Sequence, residues 1–222
     1  MEVSKRIPIF VTENKNNMKD YSTIDPFLLE EDIGCLTAAD EPCRDLKELL
    51  LDLHEASGAH FVSLLKEITA HRAFCPLKNA PNIYITGGET GEDYDNLLNA
   101  AHKAVDQGYR VFILPNPKSI RTADFVFERK GVYKMFDLKT ISGKSSVSSR
   151  LLESIGQTNH VVLNMATTYD PRLLAKDIKL YFEANKGAKE VLIIKGAKFL
   201  SVSRQFVEGK DYIKMFMKRY LK

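Results

Sequence analysis

The residues best suited to chemistry in this sequence are two aspartates and a lysine on one predicted β-hairpin. Asp137 and Lys139 stand two positions apart at the end of an alternating run that begins at residue 132, and Asp124 belongs to the preceding strand. Residues i and i+2 of a strand project from the same face, so Asp137 and Lys139 share a face. Two carboxylates and an ammonium brought together on a sheet can hold a hard divalent cation, with the lysine near a phosphate or an attacking water.

An acid-x-lysine triplet has almost no specificity by itself. The chain contains six of them, namely Glu13/Lys15, Asp45/Lys47, Glu128/Lys130, Asp137/Lys139, Asp177/Lys179 and Glu208/Lys210. Only the Asp137/Lys139 triplet lies in a strand with apolar neighbours, whereas the others fall in loops, turns or on helix surfaces. The alternative is a salt bridge from Lys139 to Asp124 or Asp137, which stabilises little if it is exposed. Burial of such a group without a metal or partner would be costly, and this favours the cation site.

The periodicity of the apolar residues predicts the elements that carry these side chains. Helices are predicted over 45–73, with a break at Ser57-Gly58, and over 93–107, 145–157, 170–187 and 211–221. Strands are predicted over 83–85, 109–114, 123–127, 132–139, 161–165, 191–194 and 199–202. From residue 93 onward the predicted order is therefore α-β-β-β-α-β-α-β-β-α.

The two short runs Ala123-Asp124-Phe125-Val126 and Phe136-Asp137-Leu138-Lys139 resemble the motif of the PD-(D/E)xK nuclease superfamily. That resemblance implies an α/β fold with a restriction-endonuclease-like core of order α-β-β-β-α-β, which matches the order predicted above. Residues 93–165 look most like the tRNA-nuclease-like C-terminal toxin domains of contact-dependent growth inhibition proteins. Two departures are an alanine in place of the motif's proline and an aspartate, with its shorter side chain, at the head of the triplet.

The resemblance also implies roles for individual residues. Asp124 and Asp137 would ligate Mg²⁺ or Mn²⁺, Lys139 would stabilise the transition state or orient water, and Gln157 would lie beside the site. Families of this kind often add an acid from the first core helix, and Asp95 is the candidate here. The implied partners are nucleic acid, RNA in preference to DNA, and an immunity protein.

Polar residues in the loops that flank the proposed site are candidates for phosphate contacts. They are Lys118, Arg121, Lys144 and Ser145. The ordinary polarity of solvated loops explains them equally well.

Composition limits the class of protein. The chain has 222 residues, of which 44% are hydrophobic and 27% charged, with three cysteines and no tryptophan. This composition excludes a wholly disordered chain, and no apolar run reaches the roughly 18 residues of a membrane span. The N-terminus lacks the pattern of a secretory signal, and three unevenly spaced cysteines fit reduced thiols. We therefore expect a soluble, cytoplasmic protein, with delivery as a toxin domain left open.

The charge is unevenly distributed. Residues 1–80 carry 9 Lys and Arg against 14 Asp and Glu, a net −5, and residues 81–222 carry a net +8. We interpret this as an acidic, mainly helical N-terminal module over 1–80 and a basic nuclease-like domain over 81–222. The +8 alone fits a lysine-rich solvated surface, but together with the strand context it favours a nucleic-acid substrate.

The sequence thus predicts a metal-dependent nuclease that hydrolyses phosphodiester bonds, in RNA by the resemblance. Two alternatives remain. One is a DNA endonuclease of the same fold. The other is a non-catalytic, nuclease-like module for assembly or RNA binding in a mobile element or phage protein.

Overall fold

The computed structural model of the chain describes residues 44–87, 92–116, 122–143 and 147–222. Its helices are α1 (Leu46–Glu55), α2 (Gly58–Thr69), α3 (Glu92–Asp106), α4 (Val147–Glu153), α5 (Pro171–Ala184), α6 (Arg204–Val207) and α7 (Tyr212–Leu221). Its strands are β1 (Cys75–Leu77), β2 (Ala80–Ile85), β3 (Arg110–Ile113), β4 (Phe125–Arg129), β5 (Val132–Ile141), β6 (His160–Met165), β7 (Glu190–Lys195) and β8 (Lys198–Ser203).

The eight strands form one mixed sheet in which spatial order follows chain order. Strands β2 and β3 are parallel, as are β5, β6 and β7, and every other neighbouring pair is antiparallel. Elements α3, β3, β4, β5, α4 and β6 follow one another as α-β-β-β-α-β, so the predicted α/β fold and the order of its core are confirmed. Lys130 and Gly131 both have positive φ, 53° and 78°, as a tight type I′ turn between β4 and β5 requires.

Helices cover both faces of the sheet, and each face has its own apolar core. Helix α3 packs on one face through a cluster that includes Val111, Phe127 and Phe136. The opposite face is covered by two groups of helices. Helices α1 and α2 lie over β3 and β4, and helices α4, α5 and α7 lie over β6 and β7.

Strand β5 passes beneath the boundary between these two groups of helices. Tyr133 and Met135 pack with the α1–α2 cluster, and Ile141 belongs to the α5–α7 cluster. Asp137 and Lys139 project from the same face of β5, between those contacts. The fold therefore places the candidate catalytic side chains where the helical cover changes.

Residues 44–222 form one compact unit. The helices predicted over 45–73 are present as α1 and α2, and the predicted break at Ser57-Gly58 is confirmed. These helices pack on Phe112, Leu114 and Val126 of the sheet, so the predicted domain boundary at residue 80 falls inside this unit. Two short amphipathic helices cannot form a core alone, and the sheet supplies the apolar surface that they need. Residues 1–43, the first part of the predicted N-terminal module, lie outside the described residues.

Two further observations bear on the predictions. The helix predicted over 211–221 is present as α7, and it docks through its apolar side, because Tyr212, Phe216 and Tyr220 are buried. Among the helices that the structure describes, none combines the length and apolar character that crossing a membrane would require.

Candidate active site

Asp124 lies at the point where strands β4 and β5 separate. Its backbone N–H donates to the carbonyl of Phe136 at 3.0 Å, so the ladder continues to this residue. The N–H of Leu138, two residues further along β5, points the same way because strand backbone groups alternate in direction. The Asp124 carboxylate accepts that N–H at 2.6 Å. The side chain of Asp124 thereby takes the place of a missing backbone carbonyl and is held in position by the sheet.

Asp137 and Lys139 lie beside it on β5. The Lys139 Nζ is 2.8 Å from the Asp137 Oδ2, and the two side chains are only 14% and 3% exposed. The salt bridge considered as an alternative is therefore present. It joins Lys139 to one of the two carboxylates.

One ammonium faces two carboxylates in this buried cluster. Burial, followed by the neighbouring Asp137 carboxylate, raises the pKa of Asp124 to about 7. The Leu138 N–H and the Lys139 charge act in the opposite direction but do not offset the increase. With both aspartates ionised, the cluster carries one negative charge in excess of its local cation, which is the electrostatic condition for binding another cation.

Gln157 follows α4 and lines an open cleft of about 600 Å³ on the same side of the sheet. The cleft also includes Ala123, adjacent to Asp124, and Met135, two residues before Asp137. Its far side is formed by α1 and the start of α2. Gln157 therefore lies in a cleft that borders the strands of the candidate site, and its role there stays a prediction.

The other predicted site residues are placed differently. Asp95 is exposed on α3. No group of three or more His, Cys, Asp or Glu side chains placed to hold a metal occurs among the described residues, so the structure does not bring Asp95 together with Asp124 and Asp137 in such a group. The candidate phosphate contacts Lys118, Arg121, Lys144 and Ser145 lie outside the described residues.

Sequence reasoning missed Tyr181, a buried residue that interacts electrostatically with Asp137. Tyr181 of α5 is 1% exposed, and its hydroxyl lies near the buried Ser154 and the amide of Asn185. Burial raises the pKa of the Tyr181 hydroxyl, and the negative charge of Asp137 adds to the increase. Tyr181 falls on the apolar stripe of an amphipathic helix, so the sequence indicates only a core residue. Its proximity to Asp137 depends on packing between α5 and β5.

Comparison with known proteins adds one structural similarity. No family model matches the sequence, and no curated protein matches it. A chain from the CdiA-CT/CdiI toxin and immunity complex of Burkholderia pseudomallei aligns with 54% of this chain and 98% of its own length, at 18% identity and a TM-score of 0.38. The functional argument therefore rests on the geometry of the site.

Proposed function

We propose that the chain is a metal-dependent phosphodiesterase that cleaves nucleic acid. The observation that carries this proposal is the buried cluster of Asp124, Asp137 and Lys139 at the point where β4 and β5 separate. A purely structural ion pair needs one acid and one base. The second buried carboxylate, with its raised pKa, is costly to the fold, and a cation that joins the cluster would offset that cost.

The donor set fits Mg²⁺ or Mn²⁺. Such hard cations take oxygen ligands, and Mg²⁺ at phosphoryl-transfer sites is often held by one or two carboxylates, with substrate phosphate and water as the other ligands. Asp124 and Asp137 would provide the two carboxylates. A bound cation would supply a water of lowered pKa and neutralise charge on the phosphate.

The residues of the chain then have separate tasks. Asp124 is oriented by the Leu138 N–H, so its carboxylate is fixed before substrate arrives. The Lys139 ammonium is flexible and has three N–H donors, of which one reaches Asp137. The others can donate to a phosphate oxygen as negative charge develops there. Gln157 would hold a polar group of the substrate at the edge of the cleft.

The class of substrate follows from the resemblance and the charge. The PD-(D/E)xK resemblance, to tRNA-nuclease-like toxin domains in particular, favours RNA over DNA. The net +8 of residues 81–222 supports a polyanionic substrate. An immunity protein that blocks the site is the partner that the same resemblance implies.

The test is a cleavage assay on the full chain. Purified protein would be incubated with tRNA and with duplex DNA, in Mg²⁺ and in EDTA, beside the variants Asp137→Asn and Lys139→Ala. Lys179→Ala is a matched control because Lys179 belongs to another Asp-x-Lys triplet and is exposed on α5. Cleavage that requires Mg²⁺, disappears in the two site variants and persists in Lys179→Ala is the expected result.

Two outcomes would contradict the proposal. Equal cleavage by the wild type and both site variants would place the activity elsewhere. Failure to cleave either substrate, together with normal growth of cells that express the chain, would instead favour a nuclease-like module that binds RNA or serves in assembly.

A further inference from the structure

The cleft beside the carboxylates has the size of a ligand site. Its volume is about 600 Å³, within the roughly 300–1,000 Å³ typical of small-molecule pockets. Tyr133 and Met135 of β5 line it, α1 and the start of α2 form one side, and the turn over residues 155–160 forms the other. The Thr158 hydroxyl donates to the Met135 carbonyl at 3.1 Å, which fastens that turn to β5. The cleft is therefore preformed.

The position of the cleft along β5 connects it with the proposed cleavage site. Met135 lies two residues before Asp137 on the same face of β5, and two residues of a strand span about 7 Å. Ala123, next to Asp124, also lines the cleft. A substrate whose phosphate lies at the carboxylates would therefore have its adjoining nucleoside at the mouth of this cleft.

The lining suits a nucleobase better than a phosphate. Phe61 and Tyr133 provide aromatic surface, and Ile155, 38% exposed, provides an apolar edge. Gln157 and Asn159 bring amides that can donate and accept hydrogen bonds. Proteins recognise unpaired bases through such a combination of aromatic faces and polar edges.

The cleft also differs in charge from the Asp124–Asp137–Lys139 cluster. None of the described residues that line it is Asp or Glu, and Lys134 and Lys189 are among them. An electron-rich base and the phosphate beyond it would thus meet no acidic side chain in the cleft. A duplex does not fit a concave space of this size, but a single base turned out of its stack does.

We propose that this cleft binds one unpaired nucleobase of the strand that is cut. This inference rests on the proposed nuclease function, because it assigns the cleft to the same substrate. It predicts a preference for single-stranded segments, loops or ends over continuous duplex.

Binding can be measured without cleavage. The full chain in EDTA would be titrated with the four nucleoside 5′-monophosphates, with the uncharged nucleosides, and with ribose 5-phosphate, and followed by NMR or calorimetry. We expect at least one nucleotide and its nucleoside to bind, with ribose 5-phosphate markedly weaker. Equal binding of ribose 5-phosphate would overturn the assignment to a base.

A pair of variants locates the site. Ile155→Asp puts a charge in the cleft, and Leu152→Asp puts the same charge on an exposed neighbour, 44% exposed, that does not line it. Ile155→Asp should weaken nucleoside binding about tenfold and Leu152→Asp about twofold or less, because Ile155 provides apolar surface in the cleft and Leu152 does not line it. Equal effects of the two variants would show that the base binds elsewhere.

The same titration separates this inference from the nuclease proposal. If the wild type binds a nucleoside, Ile155→Asp loses that binding, and no cleavage occurs in Mg²⁺, the base site is supported and the nuclease proposal is contradicted. Mg²⁺-dependent cleavage by a protein that binds no nucleoside would do the reverse.

Discussion

Strand β5 carries two charge clusters, one on each face, and their electrostatics are opposite. On one face Lys134 lies 2.7 Å from Glu190, whose other oxygen accepts from Ser201 at 2.5 Å. Burial alone would raise the pKa of Glu190, but the hydrogen bonds from Lys134 and Ser201 hold it below its ordinary value. On the other face, burial and a second carboxylate raise the pKa of Asp124 to about 7.

The difference separates a structural ion pair from a site prepared for a ligand. In the Lys134–Glu190 cluster each charge has its partner, and the arrangement is complete as folded. In the Asp124–Asp137–Lys139 cluster the acids outnumber the base, and the Leu138 N–H and the Lys139 ammonium do not offset the effect of that excess on the pKa of Asp124. An excess of buried like charge therefore points to the candidate functional face of β5 more specifically than the triplet motif does.

The largest expected effect is on the rate of cleavage, and it comes from a change in the Asp124–Asp137–Lys139 cluster. Asp137→Asn should lower the rate of nucleic-acid cleavage about 100- to 1,000-fold, the range typical for loss of one preorganised electrostatic group. Glu190→Gln, the matched change in the other cluster, should leave the cleavage rate within about threefold. Single-turnover rates in Mg²⁺ measure both, and similar losses in the two variants would remove the distinction between the clusters.

A cation should stabilise the wild-type fold through the acidic cluster alone. Mg²⁺ at a hundred times its dissociation constant is expected to add about 2.7 kcal/mol to the free energy of unfolding. Asp124→Asn should abolish this gain, because asparagine keeps an acceptor for the Leu138 N–H but supplies no charge. Urea unfolding with and without Mg²⁺ makes the measurement, and an undiminished gain in Asp124→Asn would place the cation elsewhere.

The two clusters should respond to pH with opposite sign. The raised pKa of Asp124 means that its stabilising contribution is present below its ordinary pKa near 4 and is lost as pH rises through about 7, by at most about 1.4 kcal/mol per pH unit. The lowered pKa of Glu190 means that its contribution is present at neutral pH and is lost as the solution becomes acidic.

His160 also contributes to the pH dependence of stability, so its contribution must be separated from that of Asp124. Burial lowers its pKa to about 4, so its contribution increases with pH between about 4 and 6.5 and opposes that of Asp124. The difference between wild type and Asp124→Asn, measured by urea unfolding in EDTA across pH 4–8, isolates the aspartate. A difference that does not change over this range would contradict the raised pKa.

The smallest expected effect is on the stability of the fold, and it comes from a change in the Lys134–Glu190 cluster. Glu190→Gln should lower the free energy of unfolding by about 1 kcal/mol, a modest value because the Lys134 side chain is 42% exposed and its charge can return to water. Lys130→Ala is unsuitable as a control because of its positive φ, so Lys179→Ala on the surface of α5 is used instead. A loss of several kcal/mol in Glu190→Gln would mean that this cluster is also under electrostatic strain.

Much of the fold was predictable because it depends on local patterns. The alternation in β5 and the helical stripe of α5 identify their elements directly, and the Lys130-Gly131 turn is visible as a hairpin signal. The short strand β1 and the four-residue helix α6 were not predicted, because elements of this length contain little more than one period of their pattern.

The candidate site was likewise predictable only where it depends on local patterns. The i, i+2 rule places Asp137 and Lys139 on one face, and the hairpin brings Asp124 close to them. The Leu138 hydrogen bond, the position of Tyr181 and the cleft between α2 and the 155–160 turn depend on three-dimensional packing. Sequence spacing contains no information about contacts of that kind, and for this reason the sequence did not predict the cleft that we propose as a base site.

The hydrogen bond from Leu138 to Asp124 has a consequence for reading related sequences. Position 124 serves the architecture as well as the chemistry, because any residue with an acceptor at that point can complete the sheet. An ancestor or descendant that abandoned catalysis would be free to change position 137 while still needing aspartate or asparagine at 124. Residue 137, and not residue 124, is therefore the position whose identity would show whether a related chain could have the proposed activity.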